Sequence, residues 1–312
     1  MNRLIPFIAI AALIFQVGLG LSSSPSIVNA HESIENAEDI AKLTSAMARL
    51  NISDIVLHGI PEDYLRYDEE AEIDLSAIGN NHELILEAVE SYPGKFHYVC
   101  TLDPEDSLRM NLLEECIENG AVGVKFYVGY AVSHTYNIDN PALGSFLERM
   151  AEAELFLMLP VNTTLFGAEL EVMLAANPDL DVVCPHYCLS STDLEWLGGA
   201  LDKYPNLYVD TSFGSTRLVE SGFARMSENH DAFVAFFDKY QDRILFATDN
   251  VITSYEDKTE EWVTQLYSDY ISMMTEGEFI SAINPDLTYV GLDLTRAIQQ
   301  KVFWRNWNAL IE

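Results

Sequence analysis

The stretch IVNAHESIENAEDIAKLTSAMARLNISDIVLHG, residues 27–59, decides the fold because it contains one complete strand–helix–strand unit. Its two ends, IVNAH and DIVLHG, are short and rich in Val, Ile and Leu, which is typical of buried strands. Between them lies an amphipathic stretch that Asn36 precedes as a helix cap, with Asp39 at the third position after it. This order predicts two parallel strands joined by a helix.

The same alternation of short apolar runs and amphipathic stretches continues along the chain. Eight strand candidates begin near Ile27, Asp54, Phe96, Val122, Leu155, Asp181, Asn206 and Arg243. Eight such strands predict an α/β fold, a (β/α)8 TIM barrel, in a single domain over residues 25–312. A doubly wound open sheet is the alternative. The acidic stretch at residues 61–79 interrupts the alternation and is expected to form a loop or lid over the barrel mouth.

The composition indicates a large globular domain and argues against one class of partner. The 312 residues are 49% hydrophobic, which is enough for a large buried core. Asp and Glu number 49 against 17 Lys and Arg, so the formal net charge is −32. Such a surface repels phosphates, which argues against nucleic-acid binding, and it is most simply a heavily hydrated surface. The expected partner is a small-molecule substrate. The composition leaves the oligomeric state open.

The N-terminal segment, residues 1–24, differs from the rest of the chain. An apolar run without charge, residues 4–21, follows Arg3 and precedes three serines and a proline. This order is typical of a secretory signal peptide and predicts export to the periplasm or the extracellular space. The run also reaches the lower limit for a membrane span, so an uncleaved membrane tether is the alternative.

The four cysteines predict no disulfide framework. Cys184 and Cys188 lie in the run VVCPHYC, which is interpreted as a strand. Four residues of extended strand separate two Cα atoms by about 13 Å, which is too far for a disulfide. Both side chains are therefore interpreted as packing residues.

Ionisable residues end four of the predicted strands, and the C-terminal strand ends of a barrel meet at one mouth. They are His31, Lys125, His186 and Asp249, on the first, fourth, sixth and eighth strands. Two imidazoles and a carboxylate are the ligand types of a zinc-like site with an open position for water. Asp249 is also the candidate catalytic base. Alternatively, the histidines cap strand ends and Lys125 pairs with Asp249 or Asp210.

These runs resemble the amidohydrolase superfamily, of the amidohydrolase-related type. Residues 27–59 are similar to its opening strand and helix, AVGVKFY to its fourth strand with a lysine, VVCPHYC to its sixth with a histidine, and RILFATDN to its eighth with an aspartate. The resemblance implies a metal-dependent hydrolase or decarboxylase-like lyase. It implies His31, His186 and Asp249 as ligands of a divalent metal, expected to be zinc. It implies Lys125 as a ligand, if carboxylated, only in the members with two metal ions.

The chain departs from the family pattern at two ligand positions. The family's Asp-x-His-x-His strand reads Asn29-Ala30-His31-Glu32-Ser33 here, and Pro160 stands where the family commonly has a histidine on the fifth strand. Two-residue alternation places Asn29, His31 and Ser33 on one face and Glu32 on the other. These replacements predict a reduced site with a single metal ion, or no metal at all.

Two further histidines are candidates for the missing metal ligands. His58 ends the second strand and His134 lies in the loop after the fourth. Histidines at strand ends and in loops are more often solvated or hydrogen-bonded than metal-bound, so neither is included in the predicted ligand set.

Tyr127 and Arg217 are the predicted substrate-binding residues, since an aromatic ring and a guanidinium suit a planar substrate that carries a carboxylate. Two hypotheses follow. The first is a metal-dependent enzyme that acts on a small carbonyl or carboxylate compound with Asp249 as base. The second is a catalytically degenerate barrel that binds a small ligand or a partner.

Overall fold

A computed structural model describes residues 26–60, 78–214, 216–253 and 258–312 of the chain. The N-terminal segment and most of the acidic stretch at residues 61–79 lie outside the described residues. The predictions of a signal peptide or tether and of a lid therefore concern residues that the structure does not describe.

Eight parallel strands form one sheet whose spatial order follows the sequence. They are β1 (Ile27–Glu32), β2 (Ile52–His58), β3 (Phe96–Thr101), β4 (Gly123–Lys125), β5 (Phe156–Met158), β6 (Val182–Cys184), β7 (Leu207–Asp210) and β8 (Ile244–Leu245). The first and last strands meet: the Ala30 N–H donates to the Phe246 carbonyl at 2.9 Å, and Ile34 pairs with Ile252 beyond the strand ends. The TIM barrel is confirmed, and the sheet is not the open doubly wound alternative.

Helices surround the barrel. They are α1 (Ala37–Leu50), α2 (Ile78–Ser91), α3 (Arg109–Glu118), α4 (Gly144–Glu152), α5 (Thr163–Ala176), α6 (Leu194–Lys203), α7 (Thr216–Glu228), α8 (His230–Tyr240), α9 (Glu260–Thr275), α10 (Arg296–Gln300) and α11 (Asn306–Ile311). Lys301–Arg305 form a π-helical turn between the last two, and β9 (Phe279–Ile280) pairs with β10 (Thr288–Tyr289) outside the barrel. Within the described ranges, no helix is both long enough and apolar enough to cross a membrane.

The predicted cap of α1 is confirmed. The Asn36 side chain accepts a hydrogen bond from the Glu38 N–H at 2.9 Å, and Asp39 Oδ2 accepts one from the Asn36 N–H at 3.0 Å. These two bonds satisfy backbone donors that the first helical turn leaves free, which explains why the helix begins here.

The apolar core has two parts that the sheet separates. Side chains on the outer face of the strands pack against the helices in the larger cluster. A smaller cluster fills the barrel interior with Val28, Val56, Val99, Met158 and Val183 among others, and Trp307 of α11 packs against it. Because Trp307 lies in the helix that closes the N-terminal end of the barrel, only the opposite end offers a polar mouth.

A register shift in β1 breaks the predicted alternation. Asn29 pairs with Ile55 and Glu32 with Leu57, so three steps along β1 correspond to two steps along β2. This extra residue is a β-bulge. Ala30 therefore lies in the interior cluster and His31 reaches into the mouth, while the Asn29 amide donates to Thr248 Oγ1 at 2.8 Å. The prediction that Asn29 and His31 share a face is wrong, because alternation holds only without a bulge.

The cysteine prediction is also wrong. Cys184 and Cys188 form a disulfide with Cα atoms 4.9 Å apart, and Cys100 pairs with Cys116 at 5.9 Å. Strand β6 ends at Cys184, because Pro185 has no N–H to continue the ladder. The next four residues, 186–189, all have φ between 49° and 59°, so the chain makes a left-handed turn that brings the two sulfurs together.

The Cys100–Cys116 bridge should stabilise the barrel more than the Cys184–Cys188 bridge, because it closes a longer loop. The sequence separations are 16 and 4. Loop entropy predicts that the C100A/C116A variant loses about 3 kcal/mol of unfolding free energy and the C184A/C188A variant about 2 kcal/mol. Urea unfolding under non-reducing conditions measures both. A C100A/C116A variant as stable as the wild type would show that the longer bridge does not constrain the unfolded chain.

Candidate metal centre at the barrel mouth

A layer of polar side chains lies directly above the apolar interior of the barrel. His58 follows interior Val56 by two residues on β2, and Thr101 follows Val99 on β3. Lys125 and Asp210 end β4 and β7 in the same way. Because side chains alternate along a strand, the residue two positions after an interior residue faces the axis one layer higher. Strand geometry thus gathers these side chains at the C-terminal end of the barrel.

The Asp210 carboxylate is the most heavily bonded group of this layer. Its Oδ2 accepts from His31 Nδ1 at 2.8 Å, and its Oδ1 accepts from the His186 N–H at 2.8 Å. The N–H of Ser212, at 3.0 Å, and its hydroxyl also donate to Oδ1. Burial alone would raise the pKa of Asp210, but His31, His186 and these hydrogen bonds lower it to about 2. Asp210 is therefore ionised.

These bonds assign one tautomer to the three histidines of the mouth. His31 donates from Nδ1 to Asp210, His58 donates from Nδ1 to the Gly59 carbonyl at 3.0 Å, and His186 donates from Nδ1 to Ser212 Oγ at 2.8 Å. Each ring therefore has an Nε2 lone pair available in the mouth. Burial, with Lys125 nearby, lowers the pKa of His58 to about 3, and burial also lowers the pKa of His186. Both rings are neutral at neutral pH.

The Asp249 carboxylate faces all three Nε2 atoms. Its Oδ1 lies 3.5 Å from His31 Nε2 and 3.6 Å from His58 Nε2, and its Oδ2 lies 3.4 Å from His186 Nε2. Burial would raise the pKa of Asp249, but nearby positive charge, including that of the Lys125 ammonium, holds it well below its usual range. Oδ1 is buried and accepts no hydrogen bond from any described residue.

This donor set fits a divalent metal ion. Ligand atoms of His31, His58 and Asp249 all lie within 4.8 Å of one another. Tetrahedral zinc with bonds near 2.1 Å separates its ligand atoms by about 3.4 Å, close to the distances between Oδ1 and the two Nε2 atoms. The Nδ1 atoms of both histidines already donate to oxygen atoms, which is the usual outer shell of a metal-ligating histidine. A buried carboxylate oxygen without a donor is the atom that a cation would satisfy.

Lys125 lies beside the same lone pairs. Its Nζ is 2.8 Å from His31 Nε2 and 3.1 Å from His58 Nε2, and it donates to both. Burial lowers the pKa of Lys125 to about 8, an effect that Asp249, Asp210 and Glu32 partly offset. The ammonium and a metal ion would use the same Nε2 lone pairs, so metal binding requires Lys125 to leave them.

The left-handed turn after β6 presents His186. A non-glycine residue in this conformation costs roughly 1 kcal/mol or more, and here four follow one another. The Cys184–Cys188 disulfide spans the turn, and Asp210 accepts the His186 N–H. The Leu189 N–H also donates to the His186 carbonyl at 2.9 Å. Together these contacts hold His186 Nε2 toward Asp249 and within 3.0 Å of the Tyr130 hydroxyl.

The structure brings together all four predicted metal and catalytic residues. His31, Lys125, His186 and Asp249 lie in one buried cluster. Of the predicted substrate-binding residues, Tyr127 is buried beside them, with Lys125 Nζ 4.7 Å from its ring centre. Arg217 is exposed at the start of α7, so the structure does not bring it into the buried cluster.

His58 and Asp210 belong to this site but not to the ligand set predicted from the sequence. His58 joins His31 and Asp249 in the candidate metal group. The available signal was the Val56-x-His58 alternation at the C-terminal end of a strand. His134, the other histidine considered, stacks on Phe166 with ring centres 3.7 Å apart and lies 3.4 Å from Glu169, so it packs against α5.

Comparison with known proteins agrees with this architecture. A family model described as Amidohydrolase matches residues 59–307, which begins just after β2 and so leaves His31 and His58 outside the match. No curated protein matches the chain. Solved structures match at low identity and therefore support the fold alone.

Three of these structures show the range of proteins to which the chain is similar in fold. A putative 2-pyrone-4,6-dicarboxylic acid hydrolase from Pseudomonas putida is 15% identical with a TM-score of 0.59, covering 93% of this chain and 98% of its own. A 2,6-dihydroxybenzoate decarboxylase is 14% identical with a TM-score of 0.54, covering 92% and 99%. An amidohydrolase from Burkholderia multivorans with bound zinc is 11% identical with a TM-score of 0.59, covering 92% and 99%. Because the family model matches well over half of the chain, this protein belongs to the amidohydrolase family.

Proposed function

We propose that the protein is a metal-dependent hydrolase or decarboxylase-like lyase that acts on a small carbonyl or carboxylate substrate through a single divalent ion. One observation carries the proposal: two imidazole Nε2 atoms face a buried, ionised Asp249 oxygen that no described residue bonds. The family supports it, because amidohydrolase-type neighbours include a hydrolase, a decarboxylase and a zinc-bound protein.

His31, His58 and Asp249 would hold the ion, and zinc is the metal that this donor set favours. This set differs from the one expected from sequence, which had His186 and Lys125 in place of His58. The ion would supply Lewis-acid polarisation of a carbonyl and would acidify a water molecule. Lys125 could add a ligand only as a carboxylated side chain, since a protonated amine has no lone pair.

Residues of the mouth would also transfer protons and bind polar or charged groups of the substrate. Asp249 is ionised, so its carboxylate would accept a proton and later return it. His186 is neutral, and its Nε2 shares a hydrogen bond with the Tyr130 hydroxyl, so this pair would bind a polar group of the substrate. The Lys125 ammonium, once displaced from the imidazoles, would attract a substrate carboxylate.

A second candidate function is a binding barrel that holds no metal. The observation that favours it is Lys125, whose ammonium already donates to the Nε2 atoms of His31 and His58. In that case the mouth would bind an anionic ligand without hydrolysis. Metal content distinguishes the two functions.

We further propose that the protein works in an oxidising compartment. This agrees with the secretory signal peptide that the N-terminal segment predicts. The two disulfides support this, because glutathione and thioredoxin keep most cytosolic thiols reduced. We therefore propose an enzyme that uses a single metal ion and is exported to the periplasm or the extracellular space.

Metal content tests the proposed ligands. The wild-type protein, purified without chelators or a histidine tag, should contain about one equivalent of a divalent metal, and the H31A and H58A variants should lose it. H97A is the matched control, since His97 also lies near a carboxylate, 3.2 Å from Asp54, but on the N-terminal side of β3. Elemental mass spectrometry gives the stoichiometry. A folded, metal-free wild type would favour the binding barrel instead.

Asp249 should be essential for turnover. On a substrate found by screening amides, esters and carboxylates, D249N should lower kcat by roughly 10²-fold or more, because the amide cannot accept the proton. The circular dichroism spectrum should stay that of the folded protein, although D249N should unfold at a lower temperature, because a pKa held below its usual range means that the ionised carboxylate stabilises the fold. D181N, which changes a half-buried acid just before β6, should keep its activity. Full activity in D249N would refute the assigned role.

A further inference from the structure

Glu32 is a buried carboxylate in β1 that the proposed chemistry does not use. Its side chain has no exposure to solvent, because it leaves the strand on the outer side and packs against α9. Glu32 Oε2 accepts from the Tyr267 hydroxyl at 2.7 Å and from the Thr248 hydroxyl at 2.9 Å. Oε1 accepts from its own neighbour, the Ser33 N–H, at 3.1 Å. A group so completely bonded is unsuited to catalysis but well suited to fixing structure.

Two further donors to Glu32 come from the backbone beside Asp249. The Asn250 N–H donates to Oε1 at 2.9 Å and the Val251 N–H at 3.0 Å. Asp249 and Val251 have φ of 45° and 50°, a left-handed conformation that non-glycine residues rarely adopt. Successive N–H groups that point at one oxygen form an anion-binding nest, so the carboxylate stabilises the turn that orients Asp249.

Lys258 holds the same two residues from the other side. Its Nζ donates to the Asn250 carbonyl at 2.7 Å and to the Val251 carbonyl at 2.6 Å. Glu32 thus binds the N–H groups and Lys258 the carbonyl groups of one dipeptide. Charge-assisted bonds of this kind are roughly twice as strong as bonds between neutral groups.

The ends of this segment are also attached to β1. The Asp249 N–H donates to the His31 carbonyl at 2.8 Å, and the Ile252 N–H donates to the Ser33 carbonyl at 2.8 Å. The backbone from Asp249 to Ile252 is therefore bonded at each residue, whereas Asp249 Oδ1 accepts no hydrogen bond from a described residue and lies 3.5 Å from His31 Nε2. The position of the carboxylate depends on the backbone beneath it.

We propose that Glu32 is a positioning residue for Asp249, and that with Lys258 it forms a two-sided clamp on the backbone of Asn250 and Val251. The inference rests on the proposed function in that Asp249 is taken as metal ligand and base. Loss of the clamp releases the left-handed turn and moves the Asp249 carboxylate away from His31 and His58.

Two substitutions separate hydrogen bonding from charge. In E32Q the amide oxygen still accepts the three N–H groups, and the amide nitrogen donates to the Thr248 and Tyr267 oxygens. In E32L every one of these bonds is lost. K258M removes the other half of the clamp at a partly exposed residue and covers the case in which E32L does not fold.

Asp269 provides a matched control. It is also a buried carboxylate that accepts hydroxyl and backbone bonds, from Ser281 at 2.5 Å and from the Ala282 N–H at 2.6 Å, but it lies on α9 and bonds the hairpin outside the barrel. D269L therefore also removes a buried carboxylate and its three hydrogen bonds, against five in E32L, without touching the mouth.

Two measurements on the full chain test the clamp. The first is amide hydrogen exchange of the peptide that covers residues 248–253 in protein freed of metal with a chelator. E32L and K258M should exchange this peptide at least tenfold faster than the wild type, while E32Q and D269L should not. The second is zinc affinity in competition with a chromophoric chelator, which should fall at least tenfold in E32L and less than about threefold in E32Q and D269L.

Hydrogen exchange and zinc affinity together distinguish a failure of the clamp from a failure of the proposed function. Wild-type exchange in both E32L and K258M, or an E32Q variant as fast as E32L, overturns the clamp whatever the metal content. A wild type that binds no zinc, with fast exchange in E32L and slow exchange in E32Q, rejects the proposed function but upholds the clamp.

Discussion

The buried Asp210 carboxylate is the group on which the rest of the mouth depends. It receives donors from three segments of the chain: the His31 ring on β1, the His186 backbone after β6, and Ser212 just after its own strand. Because it is ionised, it fixes the protons of two imidazoles on their Nδ1 atoms, one directly and one through the Ser212 hydroxyl. An amide in its place would keep the shape but not the direction of these bonds. One carboxylate therefore sets the chemical identity of its neighbours as well as their positions.

The charges in the mouth do not cancel. Asp210 and Asp249 are two buried anions at the mouth, where Lys125 is their nearby ammonium, while Glu32 and Lys258 behind the mouth add one charge of each sign. Burying charge is costly unless opposite charge is close, and two carboxylates against one ammonium leave a deficit of positive charge. The burial that lowers the pKa of Lys125 weakens even this compensation. The mouth is thus electrostatically prepared for a second positive charge, in a protein whose surface is strongly acidic.

The fold was predictable from sequence because strand and helix periods, caps and breakers agree along most of the chain. His31, Lys125, His186 and Asp249 were predictable at the mouth because each lies at the C-terminal end of a strand or within four residues after it. What failed were the places where the backbone leaves its regular path. A bulge in β1 separates Asn29 from His31, and the left-handed turn after β6 joins Cys184 to Cys188. Neither leaves a periodic signal, because both are stabilised by contacts with residues far away in sequence, such as Thr248 and Asp210.

The bulge in β1 has a consequence for how this sequence tolerates change. Within the few residues from Asn29 to Ser33, the strand delivers one side chain into the mouth and the next to the helix layer behind it. Deleting one residue before His31 would move Glu32 to the place of His31 and bury a carboxylate among the imidazoles. Inserting one residue there would instead move His31 to the place of Glu32, beside Tyr267. Point substitutions at this strand end alter single contacts, but a change in its length would displace His31 and Glu32 together. The length of this strand is therefore a stricter constraint than the identity of most of its residues.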